Sequence, residues 1–201
     1  MTTPIQHRTT RRDNPGQEPR KRFETLRILA VVTFPVILAV VIQRVSIEQP
    51  LRPGDAAPEL FLQSLTGESI SLPQLYSQRL AVLFFSVDCS HCRRELGNIK
   101  SLREIFNGSI QFLLITTTDG ARTKSLLDSL GINIPIVVDD RRNTQSAFGV
   151  FTVPALFLIR SNGIVHASSF GERPLNARRE QLESFLQASA DEARTLGHSP
   201  R

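Results

Sequence analysis

Leu80-Ala81-Val82-Leu83-Phe84-Phe85-Ser86-Val87-Asp88-Cys89-Ser90-His91-Cys92 is the stretch that decides the fold. Its first six residues are an unbroken apolar run, the pattern of a strand buried on both faces. After the two cysteines, Leu96, Ile99, Leu102, Ile105 and Phe106 recur at spacings of three to four and predict a helix over 93–106. The dithiol therefore stands at a strand-to-helix corner. No other cysteine occurs in the 201 residues, so sulfur chemistry must pass through Cys89 and Cys92.

Working outward, two short strands are expected near Glu59–Gln63 and Ser69–Ser71, joined by a turn at Thr66-Gly67. Ile110–Ile115 reads as a second buried strand. Ala121–Leu130 reads as a helix with Asp119 as N-cap and Gly131 just past its end. Ile136–Val138 is a short strand behind Pro135, Asn143–Phe148 a short helix stopped by Gly149, and Ala155–Ile159 a further strand. Ser161-Asn162-Gly163 is a hairpin turn that returns the chain as Ile164–Ser168. Pro174–Ala188 is a closing amphipathic helix, and residues 189–201 read as a flexible tail. Strands alternating with helices predict an α/β fold, a central mixed sheet with helices on both faces.

The net charge of +5 is unevenly placed: residues 1–27 hold seven Arg/Lys against three acids, and the remainder is close to neutral. This marks a basic cytoplasmic arm rather than a basic binding face, and no aromatic-interleaved cationic surface argues for nucleic acid. Ile28–Ile42 carries no charge but is fifteen residues long, short of the ~20 of a comfortable membrane span. Leu26 and Val45 extend it once Arg27 and Arg44 snorkel. A transmembrane signal anchor over 28–45 is expected, because Val41–Val45 offers no small-x-small cleavage site. The basic arm before it would stay in the cytoplasm and send the rest outward, through a linker over 46–52. The outer domain, 53–188, would then face an oxidising space, where a dithiol needs a redox task or a dedicated reductant.

Three further features join the dithiol: Thr152-Val153-Pro154 ahead of the strand Ala155–Ile159, the Asn162-Gly163 hairpin followed by Gly171, and the turn-rich opening Pro53-Gly54-Asp55-Ala56-Ala57-Pro58. Together with Gly131–Gly163 these resemble the thioredoxin superfamily, in its membrane-anchored TlpA/ResA-like branch related to the AhpC/TSA redoxins. The resemblance covers about residues 53–188. It implies a thioredoxin-like fold, a cis peptide at Val153-Pro154 and a thiol-disulfide oxidoreductase without cofactor or metal. It also implies protein thiols or disulfides outside the cytoplasm as partners, a membrane electron donor, and a single-pass location in the bacterial inner membrane. Apocytochrome c or metal-site thiols are the clients it suggests. Two departures stand out: Asp88 occupies a place usually held by Trp, and Leu83 stands where thioredoxin has a buried Asp.

Cys89, at the predicted helix N-terminus, is expected to be the attacking thiolate, favoured by the helix dipole and by His91, Arg93 and Arg94, and opposed by Asp88. Cys92, one turn inside, would resolve the mixed disulfide. Ser90, His91 and Asp88 would tune the pair, and Val153 and Pro154 would meet the substrate. That setting suggests a couple less reducing than the ~−270 mV of thioredoxin. A peroxidase is a competing reading, but the Pro-x-x-x-Thr-x-x-Cys signature is broken by Val82 and Ser86. Copper delivery would want Cys-x-x-x-Cys. Zinc lacks ligands at metal spacing, with only His7, His91, His166 and His198 available. A redox-inactive interaction domain is the remaining alternative.

Overall fold

The computed structural model describes residues 49–196. The basic arm and the anchor expected over 28–45 lie outside the described residues, as does the start of the linker, 46–48. Among the described residues no helix is long and apolar enough to cross a membrane.

The chain runs β1 (Phe61–Gln63), β2 (Ser69–Ser71), α1 (Leu72–Leu75), β3 (Leu80–Phe85), α2 (Ser90–Ile105), β4 (Gln111–Thr116), α3 (Gly120–Leu130), β5 (Ile136–Val138), α4 (Asn143–Ala147), β6 (Ala155–Ile159), β7 (Val165–Phe170) and α5 (Leu175–Leu196). β1 and β2 form a small antiparallel ribbon, and the other five strands form a mixed sheet in the order β5-β4-β3-β6-β7. β3 is central. It pairs parallel with β4, Leu83 opposite Leu114, and antiparallel with β6, Leu83 opposite Leu156.

Both edges of β3 are hydrogen-bonded and all six of its residues are buried, which explains the unbroken apolar run. Its side chains alternate between two cores. Ala81, Leu83 and Phe85 pack with Cys92, Leu96, Ile99 and Leu102 of α2, Leu127 of α3, and Leu182 and Phe185 of α5. Leu80, Val82 and Phe84 face the other way, toward Leu72, Tyr76, Phe148 and Phe157. On that side Phe84, Phe148 and Phe157 form an aromatic triangle with ring centroids 5.1–5.8 Å apart.

Local chemistry accounts for the element ends. Asp119 caps α3 by accepting from the Arg122 N–H, and Gly131 ends it at φ 62, where a side chain would be strained. Gly149 (φ 63) could not carry a Cβ, which would lie 2.3 Å from the Gln49 carbonyl oxygen. There the end of the linker packs onto the domain, the Leu51 N–H donating to Phe148 O at 3.2 Å.

Several boundaries differ from the sequence reading: β1 starts at Phe61, β4 runs Gln111–Thr116, and α2 starts at Ser90 rather than 93, because Cys89 rather than a later residue is its N-cap. The single turn α1 escapes that reading because four residues show no period; its Pro73 sits in the first turn, where a missing N–H costs nothing. β7 runs to Phe170, since Ser169 and Phe170 still pair with Leu156 and Ala155. α5 continues past Ala188 to Leu196, so residues 189–196 are helical; Ser189 to Leu196 contains neither Gly nor Pro and is rich in strong helix formers.

Phe157 meets both other rings of the aromatic triangle from a fully buried strand. Phe157→Ala should cost about 3–5 kcal/mol of stability, read as a lowered midpoint in urea denaturation with the slope unchanged.

Candidate active site

β3 ends at Phe85, and the chain turns through Ser86-Val87-Asp88 before α2 starts. Cys89 is the N-cap of α2, in extended conformation (φ −92, ψ 115), and its Sγ accepts the Cys92 N–H at 3.2 Å. The sulfur thus serves as the capping acceptor for one of the N–H groups that the helix start leaves without an intrahelical partner. Cys89 is half-buried and Cys92 fully buried, and both are free thiols. Burial, the bond to Cys89, and the charges of Cys89 and Glu95 together push the Cys92 thiol up from its ordinary 9.0 to about 12, against a smaller opposing effect from a Ser86 backbone bond.

Val153-Pro154 is a cis peptide, as the family resemblance implied. It sets the Val153 carbonyl 3.9 Å from Cys89 Sγ, with the sulfur as donor, while Pro154 O accepts the Gly171 N–H at 2.8 Å. The backbone of Val153 thus borders the exposed side of the dithiol.

The charges around the pair are matched more closely than a count along the sequence suggests. Asp88, read as opposing the cations, is bound to Arg122 of α3. His91 Nδ1 lies 2.9 Å from Glu172 Oε2, and Arg94 Nε donates to Glu172 Oε1 at 2.7 Å. Arg94 also places a guanidinium nitrogen 2.9 Å from His91 Nδ1. Hydrogen bonds from Arg94 and His91 hold the Glu172 carboxyl down at about 2, and the bond to Glu172 in turn raises Arg94. Arg93 turns back to donate to Val87 O at 3.2 Å. Ser90 opens the first turn of α2, exposed beside the two cysteines, and makes no side-chain bond that fixes it to them.

Three residues of the site were missed from sequence. Glu172 follows β7, far from the dithiol in the chain. The others are Glu95 and Arg178, an ion pair inside the core: Arg178 Nε donates to Glu95 Oε1 at 2.6 Å, with the side chains 1% and 0% exposed. Further bonds hold both partners. Glu95 Oε2 accepts the Arg173 N–H, and Arg178 Nη1 donates to Ser169 Oγ at 2.7 Å and Gln181 Oε1 at 2.6 Å. Glu95 is three residues after Cys92 and on the same face of α2, so a buried carboxylate lies one turn from the buried thiol. The signal was present in the sequence: Arg178 shares the apolar face of Leu182 and Phe185, where a charge requires a partner.

A model of the AhpC/TSA family matches residues 53–168. The chain belongs to that family. Among relatives, the AhpC/TSA chain is 26% identical over 182 residues to the thiol-disulfide oxidoreductase ResA of Halalkalibacterium halodurans, covering 88% of this chain and 99% of that one. The crystal structure of a DsbE thiol:disulfide interchange protein from Chlorobium tepidum superposes with TM-score 0.62 at 24% identity, over 69% of this chain and 98% of that one. The peroxidoxin BcpB of Mycobacterium tuberculosis reaches TM-score 0.61 at 18% identity, over 69% and 97% of the two chains. This AhpC/TSA protein is therefore a ResA-like member of the thioredoxin superfamily, and its fold is the thioredoxin-like one expected. The fold is shared with a peroxidoxin, so the chemistry rests on the site.

Two outcomes follow. Arg178→Ala leaves Glu95 buried and unpaired and should cost about 3–5 kcal/mol in chemical denaturation, whereas the double change Arg178→Met with Glu95→Leu should recover most of it. The raised Cys92 value favours the folded reduced state fully below pH ~9 and is lost as pH rises toward 12. Reduced protein should therefore lose stability through that window in alkaline denaturation, and Cys92→Ser should lose less.

Proposed function

We propose that this chain is a thiol-disulfide oxidoreductase, anchored in the inner membrane by residues 28–45, which exchanges disulfides with protein partners outside the cytoplasm through Cys89 and Cys92. The observation that carries the reading is the asymmetry of the pair. Cys89 is reachable, sits on the helix N-terminus and faces the Val153 backbone, while Cys92 is buried and held as a thiol.

The exchange then runs in two steps. The Cys89 thiolate attacks one sulfur of a client disulfide; the client S–S bond breaks and a client thiolate leaves. Cys92 loses its proton and attacks Cys89 Sγ; the mixed disulfide breaks and the second client thiolate leaves. The client gains two electrons and the chain ends as a Cys89–Cys92 disulfide. Restoring the dithiol requires a reductant, for which an electron donor in the membrane is the natural source. ResA-like relatives carry the name thiol-disulfide oxidoreductase, which supports the same reading here. Apocytochrome c or metal-site thiols are the clients that the family resemblance favours. Peroxide reduction is less well supported, because Val82 inside β3 and Ser86 just past it stand where the peroxidase signature needs Pro and Thr.

The test is trapping in the native membrane. Cys92→Ser in the full chain should accumulate mixed disulfides that dithiothreitol releases, and Cys89→Ser should accumulate none. Reduction of a disulfide-bonded client should fall about 100-fold or more in Cys89→Ser. Failure of Cys92→Ser to accumulate mixed disulfides, equal trapping by Cys89→Ser, or hydrogen peroxide turnover faster than disulfide exchange, would sink the proposal.

A further inference from the structure

Beside the dithiol, on the far side of Val153, lies a cavity of about 270 Å³ walled by Ser86, Thr117, Arg142, Gln145, Phe151 and Val153. Two of these walls belong to the active site itself. Ser86 O accepts the Cys89 N–H at 3.3 Å, and Val153 O lies 3.9 Å from Cys89 Sγ. The cavity is smaller than the ~300–1,000 Å³ of drug-sized ligand pockets and suits a single side chain.

Arg142 is the distinctive wall. Among the described residues it is the one non-glycine with positive φ, 56°, a conformation that glycine adopts without strain and other residues do not. Its guanidinium has no hydrogen-bonding or ionic partner among the described residues, unlike Arg94, Arg122 and Arg178. The neighbouring acid does not neutralise it: Asp139 is buried and gives Oδ2 to the Thr144 and Gln145 N–H groups at 2.8 and 2.9 Å. Asp140 is exposed and is not part of the wall. Phe151, 74% exposed, covers the outer rim and stacks on Phe170 with ring centroids 5.6 Å apart.

We infer that this cavity is a specificity subsite that takes the carboxylate of an Asp or Glu in the client, close in sequence to the client cysteine. An extended segment spans ~3.3 Å per residue, so a client whose cysteine meets Cys89 and whose backbone runs along Val153 brings such a side chain to Arg142. A free cation at the rim with hydroxyl and amide donors beside it matches a carboxylate and repels a lysine. The inference rests on the proposed disulfide exchange and names the kind of client it prefers.

The test uses the full chain, reduced, against three disulfide-bonded peptides that differ only in Glu, Gln or Lys two residues from the reacting cysteine, with glutathione disulfide as a small-molecule arm. The Glu peptide should react about threefold faster than the Gln peptide and about tenfold faster than the Lys peptide at low salt, the gap narrowing as salt rises. Arg142→Gly, which suits the backbone, should make the three rates equal, and Arg142→Lys should keep part of the preference. Equal rates in the wild type, or a preference that survives Arg142→Gly, would overturn the subsite and leave the exchange reading intact. An Arg142 effect confined to glutathione disulfide would overturn the assignment to a client side chain. If no peptide reacts at all, the exchange reading fails and the subsite fails with it.

Discussion

The structure depends on β3 being enclosed on every side. Strands bond both of its edges and two separate cores cover its faces, so the chain can leave it only at the sheet end. Leaving there, it enters α2, whose Cys92, Leu96, Ile99 and Leu102 pack back onto Leu83 and Phe85. The position of the dithiol follows from this. Cys89 stands at the corner, where the sheet end meets solvent and the helix offers unpaired N–H groups. Cys92, one turn on, is carried into the core by the same packing that fixes the helix. One pattern of apolar residues therefore makes two chemically identical side chains unlike.

Charge is arranged around that corner in pairs drawn from distant parts of the chain. Asp88 is met by Arg122 from α3, and His91 with Arg94 by Glu172 from beyond β7. These pairs are exposed and each contributes little to stability. Their effect is on the field at Cys89: Asp88, His91 and Arg94 do not act as lone charges, while Arg93 donates to the Val87 carbonyl and has no acid beside it. Counting charges along the sequence therefore overstates how many of them stand alone at the corner.

What was legible in the sequence was whatever is local. β2, β5 and β6 fall on the expected residues because turn formers bound short apolar runs, and Asp119 and Gly131 mark α3 through chemistry complete within one turn. The dithiol corner and the Pro154 loop were legible from short motifs. The Glu95–Arg178 pair was not, since its partners are 83 residues apart and only the assembled fold brings α2 against α5. The same holds for Glu172. Arg142 was hidden for another reason: nothing in Asp-Asp-Arg-Arg-Asn states which residue will take the left-handed turn that starts α4.

The surroundings of the buried thiol also order the proposed exchange. Thioredoxin's acid position is filled by Leu83, deep in the apolar core, and the acid here instead sits on α2, held by Arg178. Four effects keep Cys92 protonated, and two of them come from Cys89: the hydrogen bond to its sulfur and its negative charge. Forming a mixed disulfide removes both at once, because a disulfide sulfur carries no charge and accepts hydrogen bonds poorly. The attack by Cys89 therefore lowers the barrier to ionising Cys92 at the moment Cys92 is required. Before that moment burial, Glu95 and the Cys89 sulfur act together, and the resolving thiol stays silent. The order of the two steps is written into which sulfur caps the helix and which lies beneath it.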